Sequence, residues 1–171
     1  VGAMTSQALG RGDRPHAREL AGASLVMMTA TMVLAALLLF PFLPYLLNLL
    51  GATGATAELA LRFSQIVLPS APLLGLGICL SALLRSLGDA RRAMFVTLGA
   101  GAATAALDPL LIFGFGWGLD GAAIATCLAR LVMVGIGLHG VVRVHRLYAW
   151  PSASVLRQTL QPFFAIGVPS V

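Results

Sequence analysis

The sequence predicts an all-α fold, a polytopic bundle of four transmembrane helices. Hydrophobic residues make up 58% of the 171-residue chain and charged residues only 10%, a balance far from that of a soluble domain. The apolar residues also fall into four runs, at about 21–49, 57–84, 93–115 and 121–142. Each run exceeds the roughly 20 residues that a helix needs to cross a bilayer core.

The arginines indicate how these helices are oriented. Nine of the eleven lie before the first run, between the second and third, and after the fourth, whereas the loops around 51–57 and 114–121 have no basic residue. Arginine-rich segments stay on the cytoplasmic side, so both ends of the chain are expected there. A nucleic-acid partner is not predicted, because the basic residues do not form one basic face.

The chain ends suggest a part of a longer protein. The first residues lack an initiator Met and a recognisable signal peptide, and a new apolar stretch begins at 163–171 after a cytoplasmic connector at 143–162. We therefore expect one transmembrane domain, 1–171, that continues into the remainder of the same chain. Basic residues that are all arginine, in an Ala- and Leu-rich chain, favour a bacterial cytoplasmic (inner) membrane.

Catalytic chemistry is not indicated. Cys79 and Cys127 lie apart within apolar runs, and His16, His139 and His145 lie in or near the cytoplasmic edge. The cysteines have no metal-site or disulfide spacing, and no carboxylate pair shares a helix face. The sequence therefore predicts neither an enzyme nor a bound cofactor.

One carboxylate lies inside the third run. A charge at the bilayer centre costs about 2.5–3.5 kcal/mol even on lenient scales, so such residues are functional candidates by default. Thr97, Gly101 and Thr104 precede Asp108 at helical spacing, so the four residues form one stripe that we expect to face protein rather than lipid. Asp108 is the leading candidate for a functional site.

Other oxygen atoms are predicted near this carboxylate. Pro109 has no N–H to donate to the Ala105 carbonyl, which frees an oxygen beside Asp108 and Thr104. The hydroxyl of Thr126, at nearly the same depth, either completes the cluster or bonds to a carbonyl of its own helix. Such a cluster suits a hard cation such as Na⁺, or Asp108 accepts a proton.

Arg130 follows Thr126 by one helical turn. The sequence leaves three alternatives open for its guanidinium. It pairs with Asp108, it contacts another charge from helices outside this chain, or it binds an anionic group. A pair with Asp108 would weaken cation binding there, because buried charges satisfy each other.

Several segments together resemble the MATE (multidrug and toxic compound extrusion) family. They are Leu84–Met94, Leu107–Gly114 and Gly121–Thr126. Ser6–Asp13 resembles the loop after the second helix of that family, and Ile166–Pro169 resembles the entry to its seventh. The resemblance implies that the four runs are helices three to six of a twelve-helix, two-lobe transporter, within its N-terminal lobe.

The resemblance also implies a coupling site. Several members of the family use an Asp on helix one, an Asn and an Asp four residues apart on helix five, and a Thr on helix six. The helix-five Asp matches Asp108 and the helix-six Thr matches Thr126. Thr104 stands where the Asn is expected, which keeps an oxygen but loses the amide, and the helix-one Asp lies outside this chain.

The implied function is a proton- or sodium-coupled antiporter that exports drugs, toxic compounds or metabolites by alternating access. Its substrates would be cationic, amphipathic small molecules, and the protein is expected to work as a monomer in membrane lipid. The alternative is a related flippase or exporter of lipid-linked sugars or polysaccharide precursors. Such a protein would need several cationic groups for pyrophosphate, and Arg130 is the one candidate.

Overall fold

The structure, a computed structural model, describes residues 14–145 and, in this range, all side chains except those of Arg14 and His16. Several predicted features lie outside the described residues. They are the Ser6–Asp13 and Ile166–Pro169 segments, residues 146–162 of the connector, and the expected helix start at 163–171. Apart from the short turns between the spans, residues 14–145 are helical, and this range contains no strand. Four helices are long and apolar enough to cross a membrane, which confirms the predicted all-α transmembrane bundle.

Four spans make up this bundle, and the first two are each split by a short 3₁₀ turn. Span 1 is Ala17–Leu49, span 2 is Gly54–Ser86, span 3 is Ala90–Gly114 and span 4 is Gly118–Val144. The α-helices within them are α1 (Arg14–Leu39), α2 (Leu43–Leu49), α3 (Gly54–Val67), α4 (Ala71–Ser86), α5 (Ala90–Pro109) and α6 (Gly118–Leu138).

Prolines account for the two splits. Phe40–Phe42 and Leu68–Ser70 are 3₁₀ turns that contain Pro41 and Pro69, and a second proline follows each turn at the start of the next α-helix. Proline removes a backbone donor and clashes with the preceding turn, so it breaks the α-helical hydrogen-bond pattern. The break in span 2 leaves polar backbone groups near the middle of the membrane.

The turn between spans 2 and 3 is fixed by two residues. Gly88 has a φ of +77°, a conformation that glycine adopts without strain. The next residue, Asp89, caps α5 because its carboxylate accepts a 3.1 Å hydrogen bond from the backbone N–H of Arg92. Aspartate is among the residues that are strongly preferred at this N-cap position.

The bundle is most tightly packed in the half that contains this turn. Leu80, Leu83, Leu84, Val96 and Val141 are completely buried there. Here α4 packs against α1, α5 and α6, while α5 and α6 lie side by side along their length. The core therefore holds the cytoplasmic ends of the spans together, if the arginine-rich segments are cytoplasmic as predicted.

Candidate ion-coupling site

Asp108 lies at the end of α5, where the helix changes its hydrogen-bonding pattern. The α-helix ends at Pro109 and continues as one π-helical segment, Leu110–Gly114. Since Pro109 has no N–H, the Ala105 carbonyl loses its α-helical donor, and the amide of Leu110 bonds to Leu107 O. The backbone is thus irregular directly beside the carboxylate, as is common where membrane proteins build polar sites.

The carboxylate of Asp108 is half-buried. Within residues 14–145 no side-chain hydrogen bond or ion pair involves it. Its two oxygens therefore keep their acceptor capacity for a proton, a cation or groups from elsewhere in the transporter.

The two threonines assigned to the cluster bond to their own helices. The Thr104 hydroxyl donates a 3.1 Å hydrogen bond to Ala100 O, and the Thr126 hydroxyl donates a 2.9 Å bond to Ala122 O. These are the i to i−4 bonds typical of threonine inside helices. Each hydroxyl oxygen still has lone pairs to offer a cation, but neither hydroxyl donates to Asp108.

The polar stripe of span 3 lies on an open side of the described bundle. Thr97 and Gly101 are exposed, and Thr104 and Asp108 are half-buried, so the described helices do not cover the stripe that we expect to face protein. In a membrane, such a stripe has to meet further protein or a water-filled cavity, because lipid does not satisfy polar groups.

Arg130 does not pair with Asp108. Its Nη1 atom donates to the Val67 carbonyl at 3.1 Å and to the Ser70 hydroxyl at 2.5 Å. Both acceptors belong to the proline-broken part of span 2, and Ser70 itself donates to Val67 O at 2.7 Å. The direct pair with Asp108 is therefore not formed in this structure. The other two alternatives, a charge from elsewhere and an anionic group, stay open.

Two ion-pair groups were not anticipated from the sequence. Arg62 and Asp120 join the Gly54 end of span 2 to the Gly118 end of span 4 at 2.5 Å. At the opposite end of the bundle, Asp89 accepts from Arg92 and, at 2.8 Å, from His145. The hydrogen bonds from Arg92 and then His145 hold the pKa of Asp89 well below its usual range. The Arg62–Asp120 and Asp89–His145 pairs each join residues more than fifty positions apart, so sequence spacing gave no signal for them.

A metal centre is not formed by the described part of the chain. No group of three or more His, Cys, Asp or Glu side chains comes together in residues 14–145.

The chain is similar to multidrug transporters along nearly its whole length. The family model named MatE matches residues 1–110. Multidrug export protein MepA of Staphylococcus aureus is 27% identical over 176 residues, which is 99% of this chain and 38% of that protein. The FAD transporter of Shewanella oneidensis is 35% identical over 156 residues, covering 86% of this chain and 34% of that protein.

The fold is similar as well. An inward-facing structure of a multidrug resistance MATE family transporter of the MOP superfamily matches with a TM-score of 0.82 at 26% identity, over 94% of this chain and 38% of that chain. The chain thus spans less than two fifths of the length of the proteins that it matches.

Proposed function

The chain belongs to the MatE family, a family of membrane transporters and not of enzymes, and on that premise we propose that it forms part of the N-terminal lobe of a cation-coupled antiporter. The full transporter exports drugs, toxic compounds or metabolites across the bacterial cytoplasmic membrane by alternating access. The arginine distribution supports an orientation with both ends of this segment in the cytoplasm.

The observation that carries this proposal is the free carboxylate of Asp108. It is half-buried in a transmembrane helix, has no partner within residues 14–145, and lies beside the backbone break at Pro109. A cation or proton bound here stabilises whichever conformation holds it better. The bound ion drives the transporter between states only through this difference in affinity.

Thr104 and Thr126 are the proposed companions of Asp108. Because each hydroxyl hydrogen is used within its own helix, each hydroxyl oxygen is left as an acceptor, which is the role that a Na⁺ ligand has to fill. The same geometry gives Asp108 oxygen neighbours when it carries a proton. The coupling ion is therefore H⁺ or Na⁺.

The names of the relatives support drugs and metabolites as the exported classes, and they do not bear on the charge of the substrate. One is called a multidrug export protein and another an FAD transporter. We propose cationic, amphipathic compounds as the main substrates, since Asp108 gives this lobe a negative charge near the outer half of the membrane.

The test is a carboxylate-to-amide change in the full-length transporter. Asp108→Asn removes the charge with little change in size, and Glu58→Gln is the matched control because Glu58 is an exposed carboxylate at the outer end of span 2. Coupling free energies of about 1–3 kcal/mol correspond to effects of about 5–150-fold. We expect Asp108→Asn to lose ion-stimulated ethidium export in this range, while Glu58→Gln retains it.

Export assays in vesicles with separately imposed pH and Na⁺ gradients would identify the ion. An Asp108→Asn transporter that is expressed normally and exports ethidium as fast as wild type would exclude Asp108 from coupling.

Arg130 favours a second candidate, a flippase or exporter of lipid-linked sugars or polysaccharide precursors. It is a cation in the membrane interior without a carboxylate partner in the described residues. Pyrophosphate recognition would need additional cations from the remainder of the protein. Accumulation of lipid-linked precursors in cells lacking the transporter, with no change in drug sensitivity, would favour this candidate.

A further inference from the structure

Arg130 is a positive charge deep inside the membrane. It lies about twelve residues after the start of α6, or about 18 Å along the helix at 1.5 Å per residue, which is near the middle of a bilayer core about 30 Å thick. The ion pairs of residues 14–145 all lie nearer the ends of the spans and leave Arg130 out. Arginine keeps its charge in proteins, and the described helices supply it with neutral acceptors but with no anionic partner.

Half of the guanidinium is held in place by span 2. The amide of Ala71 bonds to Leu68 O in the 3₁₀ turn, so it does not supply the α-helical donor that Val67 O would otherwise receive. Nη1 of Arg130 donates to this carbonyl and to the Ser70 hydroxyl. These two bonds fix the plane of the guanidinium.

The other half of the guanidinium is open. Nε and Nη2 have no hydrogen-bond partner within residues 14–145. In this range, every side-chain nitrogen or oxygen that lacks a partner is at least partly exposed. These donors are therefore accessible, and they present the two-pronged geometry that matches a carboxylate or phosphate.

A cleft of about 210 Å³ has Arg130 in its lining. Its polar residues are Arg130 and Ser64, and the remainder of the lining is Leu43, Phe63, Val67, Leu68 and Ala71. The hydroxyl of Ser64 makes no hydrogen bond with another described residue, so it is a second donor facing the same region. A cation and a hydroxyl in an otherwise apolar cleft are typical of a site that binds one charged group and its carbon chain.

We propose that the Arg130–Ser64 cleft binds an oxyanion, a carboxylate or phosphate group. Arg130 binds two of its oxygens through Nε and Nη2, and the Ser64 hydroxyl donates to it. The oxyanion belongs either to a transported molecule or to another segment of the transporter itself. The first source rests on the proposed export function, and it extends the substrates from cations to molecules that also carry a negative group.

Binding of two matched fluorescent probes to the purified full-length transporter tests this site. Dansylglycine carries a carboxylate and dansylamide does not, while the aromatic portion is the same. If the oxyanion comes from a substrate, wild type binds dansylglycine about tenfold more tightly, the gain expected from a charge-assisted hydrogen-bonded pair. Arg130→Gln abolishes this preference, and Ser70→Ala, which removes one anchor without removing the charge, retains most of it.

The other source gives a different result. If a carboxylate of the transporter occupies the cleft, wild type shows no preference between the probes. Arg130→Gln then lowers the thermal unfolding temperature more than Ser70→Ala does, and Arg130→Lys restores it, because the remaining carboxylate needs a cation.

Two results would overturn the site. One is a preference for dansylglycine that survives in Arg130→Gln. The other starts from a wild type that shows no preference between the probes. The site is then overturned if Arg130→Gln and Ser70→Ala unfold at the same temperature, or if Arg130→Lys gives no rescue. Arg130 would in that case only brace the helix break. Probe binding needs no ion gradient, so a transporter that fails to export ethidium yet shows the preference would refute the export function and leave the site intact.

Discussion

Replacing Gly121 by alanine tests how closely spans 3 and 4 must approach beside the candidate site. A Cβ at position 121 would lie 2.8 Å from both the carbonyl carbon and the oxygen of Leu111, and 3.2 Å from the nitrogen of Ile112. All three are backbone atoms of the π-helical segment that follows Asp108 and Pro109. They cannot move aside by a side-chain rotation, so one of the two spans has to shift.

The expected cost follows from these distances. Carbon atoms pack at about 3.5–4.0 Å, so the helices must separate by about 1 Å, and overpacking of this kind costs about 1–3 kcal/mol. Alanine also favours a helix over glycine by about 1 kcal/mol, which offsets part of the cost. Gly121→Ala should therefore destabilise the transporter by about 0–2 kcal/mol.

Gly135→Ala in the same helix is the matched control. A Cβ at position 135 meets nothing within 4 Å in residues 14–145, so this variant gains the helix preference without the clash. The stability difference between the two variants should equal the overpacking cost, about 1–3 kcal/mol. Thermal unfolding of the full-length protein in detergent, followed by circular dichroism, measures this difference.

The same shift has a functional consequence. Moving Leu111 displaces the segment that holds Asp108, so Gly121→Ala should also slow ion-stimulated ethidium export while Gly135→Ala does not. A Gly121→Ala protein as stable as Gly135→Ala would show that spans 3 and 4 do not approach as closely as the structure indicates.

Two further predictions concern the ends of the spans. Arg92 and His145 lower the pKa of Asp89, so its stabilising contribution is present above the ordinary aspartate pKa of about 4 and is lost as the pH falls through the lower folded-state value. Asp89→Asn retains an N-cap, but it should lower the unfolding temperature at neutral pH. The difference from wild type should shrink below about pH 4. A difference that is constant with pH would contradict this cause. At the other end, the Arg62 side chain is 69% exposed and that of Asp120 27%, so Asp120→Asn should cost only about 0–1 kcal/mol and less at high salt. A loss of several kcal/mol in a denaturation experiment would indicate that this ion pair is not screened by solvent.

Local features of the fold could be predicted because they depend on neighbouring residues. Length and hydropathy identify the four spans, although α1 begins before the first apolar run and span 4 extends to Val144. Hydropathy detects the part of a helix that suits hydrocarbon, whereas the helix itself continues into the interface as long as its hydrogen bonds do. The cap at Asp89 and the break at Pro109 are equally local, since one adds an acceptor and the other removes a donor.

The polar contacts between helices could not be predicted in the same way. Equal depth suggested that Thr126 joins Asp108 and allowed a pair with Arg130, but depth does not fix the rotation of a helix. In the structure Arg130 faces the broken turn of span 2, and Thr126 bonds to its own helix. The rotation follows from packing, in which Gly137 lies against Leu80 and Gly121 against Leu111.

The sequence by itself thus determines that this chain has four membrane spans with one carboxylate in the third, because bilayer thickness and the cost of a buried charge act on each segment alone. The tertiary structure decides which charges meet. It brings Arg130 to the Val67 carbonyl and leaves Asp108 open, because the partner of a polar group depends on how the helices approach and rotate against each other.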